Sequence, residues 1–216
     1  SGKTLRISHV WDQLHSGKSN LSYGYGIEYK TQKDIYDAEH DQHSGSHGTH
    51  VMGIAGGSSY GNSNTYLGVA PKSELIAIST SGNHVGVLEG IDYVFSKADS
   101  LNKPAVVNLS LGTHIGPHDG SSLFDYYLDA LITNSRIVVG AAGNEGQDSL
   151  HIQKKFTSTD TVMYAFISFK NSTLANSGNS ILDIWGEKNN DFKVSINLVN
   201  LSKGTYEDYT PYYSAS

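Results

Sequence analysis

Three short, predominantly apolar runs punctuate the middle of the chain: Leu75-Ile76-Ala77-Ile78, Val106-Val107-Asn108-Leu109 and Ile137-Val138-Val139-Gly140-Ala141. Between them, apolar residues recur at helical spacing instead. Val87, Leu88, Ile91, Val94, Phe95, Ala98 and Leu101 form one apolar face over about four turns. Leu123, Phe124, Tyr127, Leu128, Leu131 and Ile132 form a second, with Ser121 or Ser122 as its N-cap. A strand that is apolar on both faces needs cover on both sides, and successive parallel strands need a helical crossover. The alternation therefore predicts an α/β fold built on a doubly wound parallel sheet covered on both faces.

The flanks read differently. Leu5, Ile7, Val10 and Trp11 predict a strand, and the Gly- and Ser-rich stretch around Tyr23-Gly24-Tyr25-Gly26 predicts a loop. Val51, Ile54 and Ala55 predict a short helix opening at His47. After residue 152 the texture changes to three strand-like segments. These are Val162, Tyr164, Phe166, Ile167 and Phe169; then Ile181, Leu182, Ile184 and Trp185; then Phe192, Val194, Ile196 and Leu198. Asn171 to Ser180 and Glu187 to Asp191 are the turn-rich connections between them. The expected organisation is an α/β domain over residues 1–151 and a β-rich module, a sandwich or jelly-roll fragment, over 152–216.

Composition narrows the function classes. A net charge of −6 without a long basic run lacks the electrostatic footprint of a nucleic-acid binder. There is no cysteine, so neither disulfides nor thiolate chemistry enter. No apolar run approaches the roughly eighteen residues of a membrane span. Ser1-Gly2-Lys3-Thr4 lacks the apolar core of a signal peptide. His40, His43, His47 and His50 crowd one stretch, but they mix loop with helix and contain no His-Glu-x-x-His, so no zinc site is expected. The loop from Ser58 to Tyr66 offers Asn62 and Asn64 without a carboxylate, which leaves weak calcium binding as the one cofactor expectation.

Three segments carry chemistry. Ser46-His47-Gly48-Thr49-His50-Val51-Met52-Gly53-Ile54 resembles the histidine motif of the subtilisin-like serine peptidases, the subtilases. Val107-Asn108-Leu109-Ser110-Leu111-Gly112 resembles their substrate-binding strand, and Gly140-Ala141-Ala142-Gly143-Asn144-Glu145-Gly146 their oxyanion-hole segment. The resemblance is specific over residues 46–146 and looser on both flanks. It implies a partial fold of subtilisin type, a peptide or protein substrate, His47 as general base and Asn144, 97 residues further on, as oxyanion donor. It also implies that Ser110, Leu111 and Gly112 pair with the substrate backbone while Ala141, Ala142 and Gly143 line its pocket. Read without the family, His47 is a structural histidine in a Gly-rich turn, Asn-Glu-Gly closes a strand, and the small residues permit tight packing.

The nucleophile segment Gly-Thr-Ser-Met-Ala does not occur, and neither does Asp-Thr-Gly or Asp-Ser-Gly for the acid. Asp12 stands 35 residues before His47, near the family's spacing, but lacks the Thr/Ser-Gly that follows the acid. Arg6-Ile7-Ser8-His9-Val10-Trp11-Asp12-Gln13 instead resembles a segment that follows the acid strand in bacterial subtilases related to the clostridial germination proteases. The acid is therefore expected upstream of Ser1. Leu182-Asp183-Ile184-Trp185-Gly186 and Phe192-Lys193-Val194-Ser195-Ile196 resemble part of the jelly-roll inserted in that subgroup between asparagine and serine. The expectation is a segment of a secreted or cell-envelope bacterial serine endopeptidase that is inactive by itself. The alternatives are a pseudoprotease or a binding or regulatory protein on the same fold.

Overall fold

The structure, a computed structural model, describes residues 5–38, 41, 45–58, 66–167, 181–187 and 189–214. They fall into two compact units, one of residues up to Ser149 without 115–117, the other of Ile115–Pro117 with Leu150–Ser216.

The first unit runs β1 (Ile7–Asp12), β2 (Ile27–Tyr29), α1 (Gln32–Asp37), α2 (His47–Gly56), β3 (Leu75–Ser79), α3 (His84–Ser100), β4 (Ala105–Leu109), α4 (Leu123–Leu131) and β5 (Arg136–Gly140). β1 is the middle strand of three. It pairs antiparallel with β2, Asp12 opposite Ile27, and parallel with β3, Asp12 opposite Ser79. β4 and β5 form a separate parallel pair, Leu109 opposite Gly140.

The two long helices form where periodicity and caps agree. Asn83 Oδ1 accepts the Gly86 N–H at 2.8 Å and opens α3. At α4, Ser122 Oγ accepts the Asp125 N–H while Asp125 Oδ2 accepts the Ser122 N–H, a reciprocal capping box. α3 is the organising element. Tyr93 and Val94 pack with Trp11 against Ile76 and Ile78 of β3 and Ala105 and Val107 of β4. Val87, Ile91 and Phe95 pack against Leu109, Val138, Phe124 and Leu128. Trp11 is fully buried and stacks on Tyr23, ring centroids 4.7 Å apart, with Tyr25 and Tyr93 tilted against it. The loop that carries these tyrosines is pinned to α3 by Tyr23 to Asp92 and Tyr25 to Glu89 hydrogen bonds.

Two features depart from the sequence reading. The parallel strands do not form one doubly wound sheet among the described residues. β3 and β4 follow one another through α3 and pack on it together, yet each is the edge strand of its own sheet. Nor is the β4–β5 pair covered on both faces. Ala105, Val107, Leu109 and Val138 face the helices, whereas Val106, Ile137 and Val139 are 66%, 53% and 48% exposed. Strands this apolar call for a second layer, and the described residues do not supply it.

In the second unit β6 (Lys193–Val194) pairs antiparallel with β9 (Tyr213–Ser214), and β7 (Asn197–Asn200) pairs with β8 (Thr205–Tyr209). The β7–β8 turn closes with Asn200 Oδ1 accepting from the Ser202 and Lys203 amides. Gly116 N–H donates to Asp183 at 2.7 Å within this unit. The strands expected at Val162–Ile167 and Ile181–Trp185 are irregular and exposed. An apolar run becomes a strand only where it pairs with an edge, and these runs pair with none among the described residues. Phe169 and the connection 171–180 lie outside the described residues, as does residue 188.

Candidate active site

His47 is the first residue of α2, where the helix start fixes its backbone. Its Nε2 lies 3.2 Å from the backbone carbonyl of Ser110, one residue beyond the end of β4. A carbonyl only accepts, so Nε2 carries the proton in this contact. Asn108 Nδ2 in turn donates to Ser110 Oγ at 3.0 Å. Leu111 and Gly112 continue outward as exposed chain.

β5 delivers the other half. Its ladder with β4 is extended by the Ala141 N–H, which donates to the Leu109 carbonyl at 3.0 Å. The chain then leaves as an exposed loop through Ala142, Gly143 and Asn144. Gly143 has φ +91°, a conformation that favours glycine. The Asn144 N–H donates to Glu145 Oε2 at 2.8 Å, and the same oxygen is 3.3 Å from His114 Nε2. The Asn144 side-chain amide makes no hydrogen bond among the described residues.

The exits of β4 and β5 thus bring the predicted residues to one place in two groups. His47 rests on Ser110, and the Ala141–Asn144 loop stands beside the same strand end. Sequence reasoning did not anticipate the contact between Glu145 and His114. Glu145 was visible only as a neighbour of Asn144, and no periodic pattern links it to a histidine 31 positions earlier.

Asp12 is elsewhere. It is 1% exposed, and its Oδ1 accepts the Leu14 N–H at 3.0 Å. Both edges of β1 are occupied, by β2 and β3, so β4 and its exit cannot lie next to it. Gln13 is buried too, donating from Nε2 to the Gly86 carbonyl at 2.8 Å and so locking this strand end to α3. Among the described residues no group of three His, Cys, Asp or Glu is placed to hold a metal. His40, His43, Asn62 and Asn64 lie outside them. No helix among the described residues is long and apolar enough to cross a membrane.

A histidine at a helix start against the exit of β4, and an asparagine loop at the exit of β5, in a mixed α/β unit with parallel strands, are consistent with a fold of subtilisin type. A family model described as the Subtilase family matches residues 14–208, and the chain belongs to that family of subtilisin-like serine peptidases. It is 36% identical over 170 residues to subtilisin of Bacillus pumilus, covering 76% of this chain and 53% of that protein. It is 31% identical over 170 residues to subtilisin E of Bacillus subtilis (strain 168), covering 38% of that protein. Among solved structures it resembles the Clostridium perfringens CspB protease with a TM-score of 0.54 and 32% identity, over 66% of this chain and 32% of that one. The chain therefore spans about half, or less, of the length of these relatives.

Proposed function

We propose that these residues belong to a serine endopeptidase in which His47 is the general base and Asn144 the oxyanion donor. The serine and the acid come from chain outside residues 1–216. The observation that carries this reading is the shared reference frame. His47 Nε2 contacts Ser110 at the exit of β4, and the Asn144 loop leaves β5 in register with that same exit. A peptide laid along Ser110, Leu111 and Gly112 as an added strand, with Ala142 and Gly143 as its wall, would have its scissile carbonyl between base and donor. The serine Oγ then attacks the carbonyl carbon as Nε2 takes its proton, and the Asn144 amide donates to the oxyanion. Collapse expels the amine, which takes the proton from Nε2, and water releases the acyl group by the same steps.

One feature supports an external acid. β3 and β4 both pack on α3 and each has an unpaired edge, which a parallel strand between them would fill. Such a strand would end beside Ser110 and His47. A carboxylate there would accept the Nδ1 proton and hold His47 with Nε2 bare, releasing it from Ser110. Without the serine and its acid, this chain alone is expected to be inert. The two antiparallel strand pairs of the second unit, β7–β8 and β6–β9, support the reading of residues 152–216 as part of a jelly-roll insert. The reading needs no cofactor, with weak calcium binding at the 58–66 loop its one reserve, and it places the protein outside the cytoplasm of a bacterium.

Fluorophosphonate labelling followed by mass spectrometry, on this chain and on the full-length gene product, tests the reading. Labelling of the full-length protein at a serine beyond Ser216, with none on this chain, is the expected result. Labelling within this chain overturns the assignment. No labelling of either, while a subtilisin control reacts, replaces it with the pseudoprotease reading.

A further inference from the structure

We propose that Arg6 is a positioning residue for His47, acting through the far end of the helix that carries it. The inference rests on the peptidase reading above. Little in α2 itself holds the helix in place. Three of its ten residues are glycines, Ser46 makes no side-chain cap bond, and Gly56, at the end away from His47, is its one buried residue. What anchors the helix is the fate of its last carbonyls, which no helical N–H can reach. The carbonyls of Ile54, Ala55 and Gly57 accept from the backbone amides of Val69, Ala70 and Gly68 at 2.9, 2.8 and 2.9 Å. The Gly56 carbonyl takes its bond from a side chain, Arg6 Nη2, just ahead of β1. The same guanidinium donates from Nη1 to the Ser73 carbonyl at 2.7 Å, and from Nε and Nη2 to Ser58 Oγ at 3.2 and 2.9 Å.

One planar fork thus joins the end of α2, the start of β1 and the turn that leads into β3. The last turn of α2 has no basic residue of its own, so Arg6 also supplies the cation that a helix C-terminus favours. The joint is tight: a Cβ at Gly56 would stand 2.7 Å from Leu75 Cδ2. The Arg6 carbonyl accepts the Leu75 N–H at 2.9 Å, so backbone and side chain of one residue grip β3 and the helix together. His47 is the first residue of the helix and Gly56 the last. They stand about 13 Å apart along the axis, so a tilt of about 4° at the Arg6 joint moves the His47 end by about 1 Å. A displacement of that size in a catalytic group can cost up to about a hundredfold in rate. Lysine is no substitute, because a single ammonium lacks the fixed fork that reaches Gly56, Ser58 and Ser73 at once.

The test uses the full-length gene product with a peptide substrate. Arg6→Ala is expected to lower kcat about tenfold with KM little changed. Arg6→Lys, which keeps the cation but not the fork, is expected to fold as the wild type does and to lose about threefold. In a His47→Ala background either substitution is expected to cost nothing further, because Arg6 acts only through the residue already removed. An equal loss in both backgrounds overturns the proposal, and so does an unchanged kcat in the folded variants. The imidazole NMR signals of this chain give a readout free of catalysis. Arg6→Lys should shift those of His47 while leaving those of His84, on α3, where they were. Unmoved His47 signals overturn the tie even where wild-type hydrolysis is intact. A wild-type full-length protein that neither hydrolyses peptides nor labels overturns the peptidase reading, and the His47 signals then decide by themselves whether Arg6 sets the position of α2.

Discussion

Glu28 shows how one side chain can couple two elements, β2 and α3, to pH. Its carboxylate is buried, which alone would raise its pKa, but Lys97 at 2.5 Å and the Tyr93 hydroxyl at 2.8 Å both bond to Oε1. The hydrogen bonds prevail and hold the group below the ordinary glutamate value. A depressed folded-state pKa means that the unfolded chain binds the proton more readily. The stabilisation is therefore present above the usual glutamate range and is lost as pH falls through the folded value. Urea melts of this chain at a series of pH values between about 6 and 3 are expected to show stability falling with acid, and falling less steeply in Glu28→Gln. Parallel slopes in the two proteins would show that Glu28 is not the group responsible. In the full-length protein, Asn144→Ala is expected to reduce kcat by a factor on the order of 10² to 10³, the usual loss on removing one oxyanion donor. A loss in KM alone, measured on peptide hydrolysis, would remove Asn144 from that role.

Elements were legible in proportion to how local their causes are. α3 and α4 carry both an apolar period and a side-chain cap within a few residues of sequence, so their positions followed from spacing. The capping box at α4 makes that measurable: Ser122→Ala is expected to lower stability by about 1 kcal/mol, seen as a reduced melting temperature. Gly26 is a sharper case. It has φ +66°, and a Cβ there would stand 2.5 Å from the Asp12 carbonyl oxygen and 2.6 Å from Trp11 Nε1. Gly26→Ala is expected to cost more than Ser122→Ala in the same melts, since backbone and a fully buried ring cannot both retreat. β2 and α1 were hidden because they are only three and six residues long, too short to show a period. Strands expected at 162–167 and 181–185 failed for the opposite reason: their apolar content was real, but strand formation depends on a partner that local sequence does not specify. At the site, His47 and Asn144 could be read from their motifs. The Ser110 carbonyl on which His47 rests, and the His114–Glu145 contact, depend on which strand exits meet.

The molecule as a whole presents surface that a finished α/β enzyme would cover. Val106, Ile137 and Val139 lie open on one face of β4–β5, and β3 and β4 each present an unpaired backbone edge. Burying the part of each of those side chains still open would contribute on the order of 1 kcal/mol, and open edges invite pairing with other chains. If the sheet is completed by chain outside residues 1–216, the same surface must be dry and paired in the full-length protein. Amide exchange measured side by side is therefore expected to show β3 and β4 much more protected in the full-length protein than in this chain. The amides linking β4 to β5, already bonded here, should change less. This chain alone should also bind a hydrophobic dye and self-associate with rising concentration, whereas the full-length protein should not. Equal protection of β3 and β4 in the two proteins would mean that nothing is inserted between them. On the proposed reading of His47 as general base, its acid would then have to reach it by a route other than a strand in the sheet.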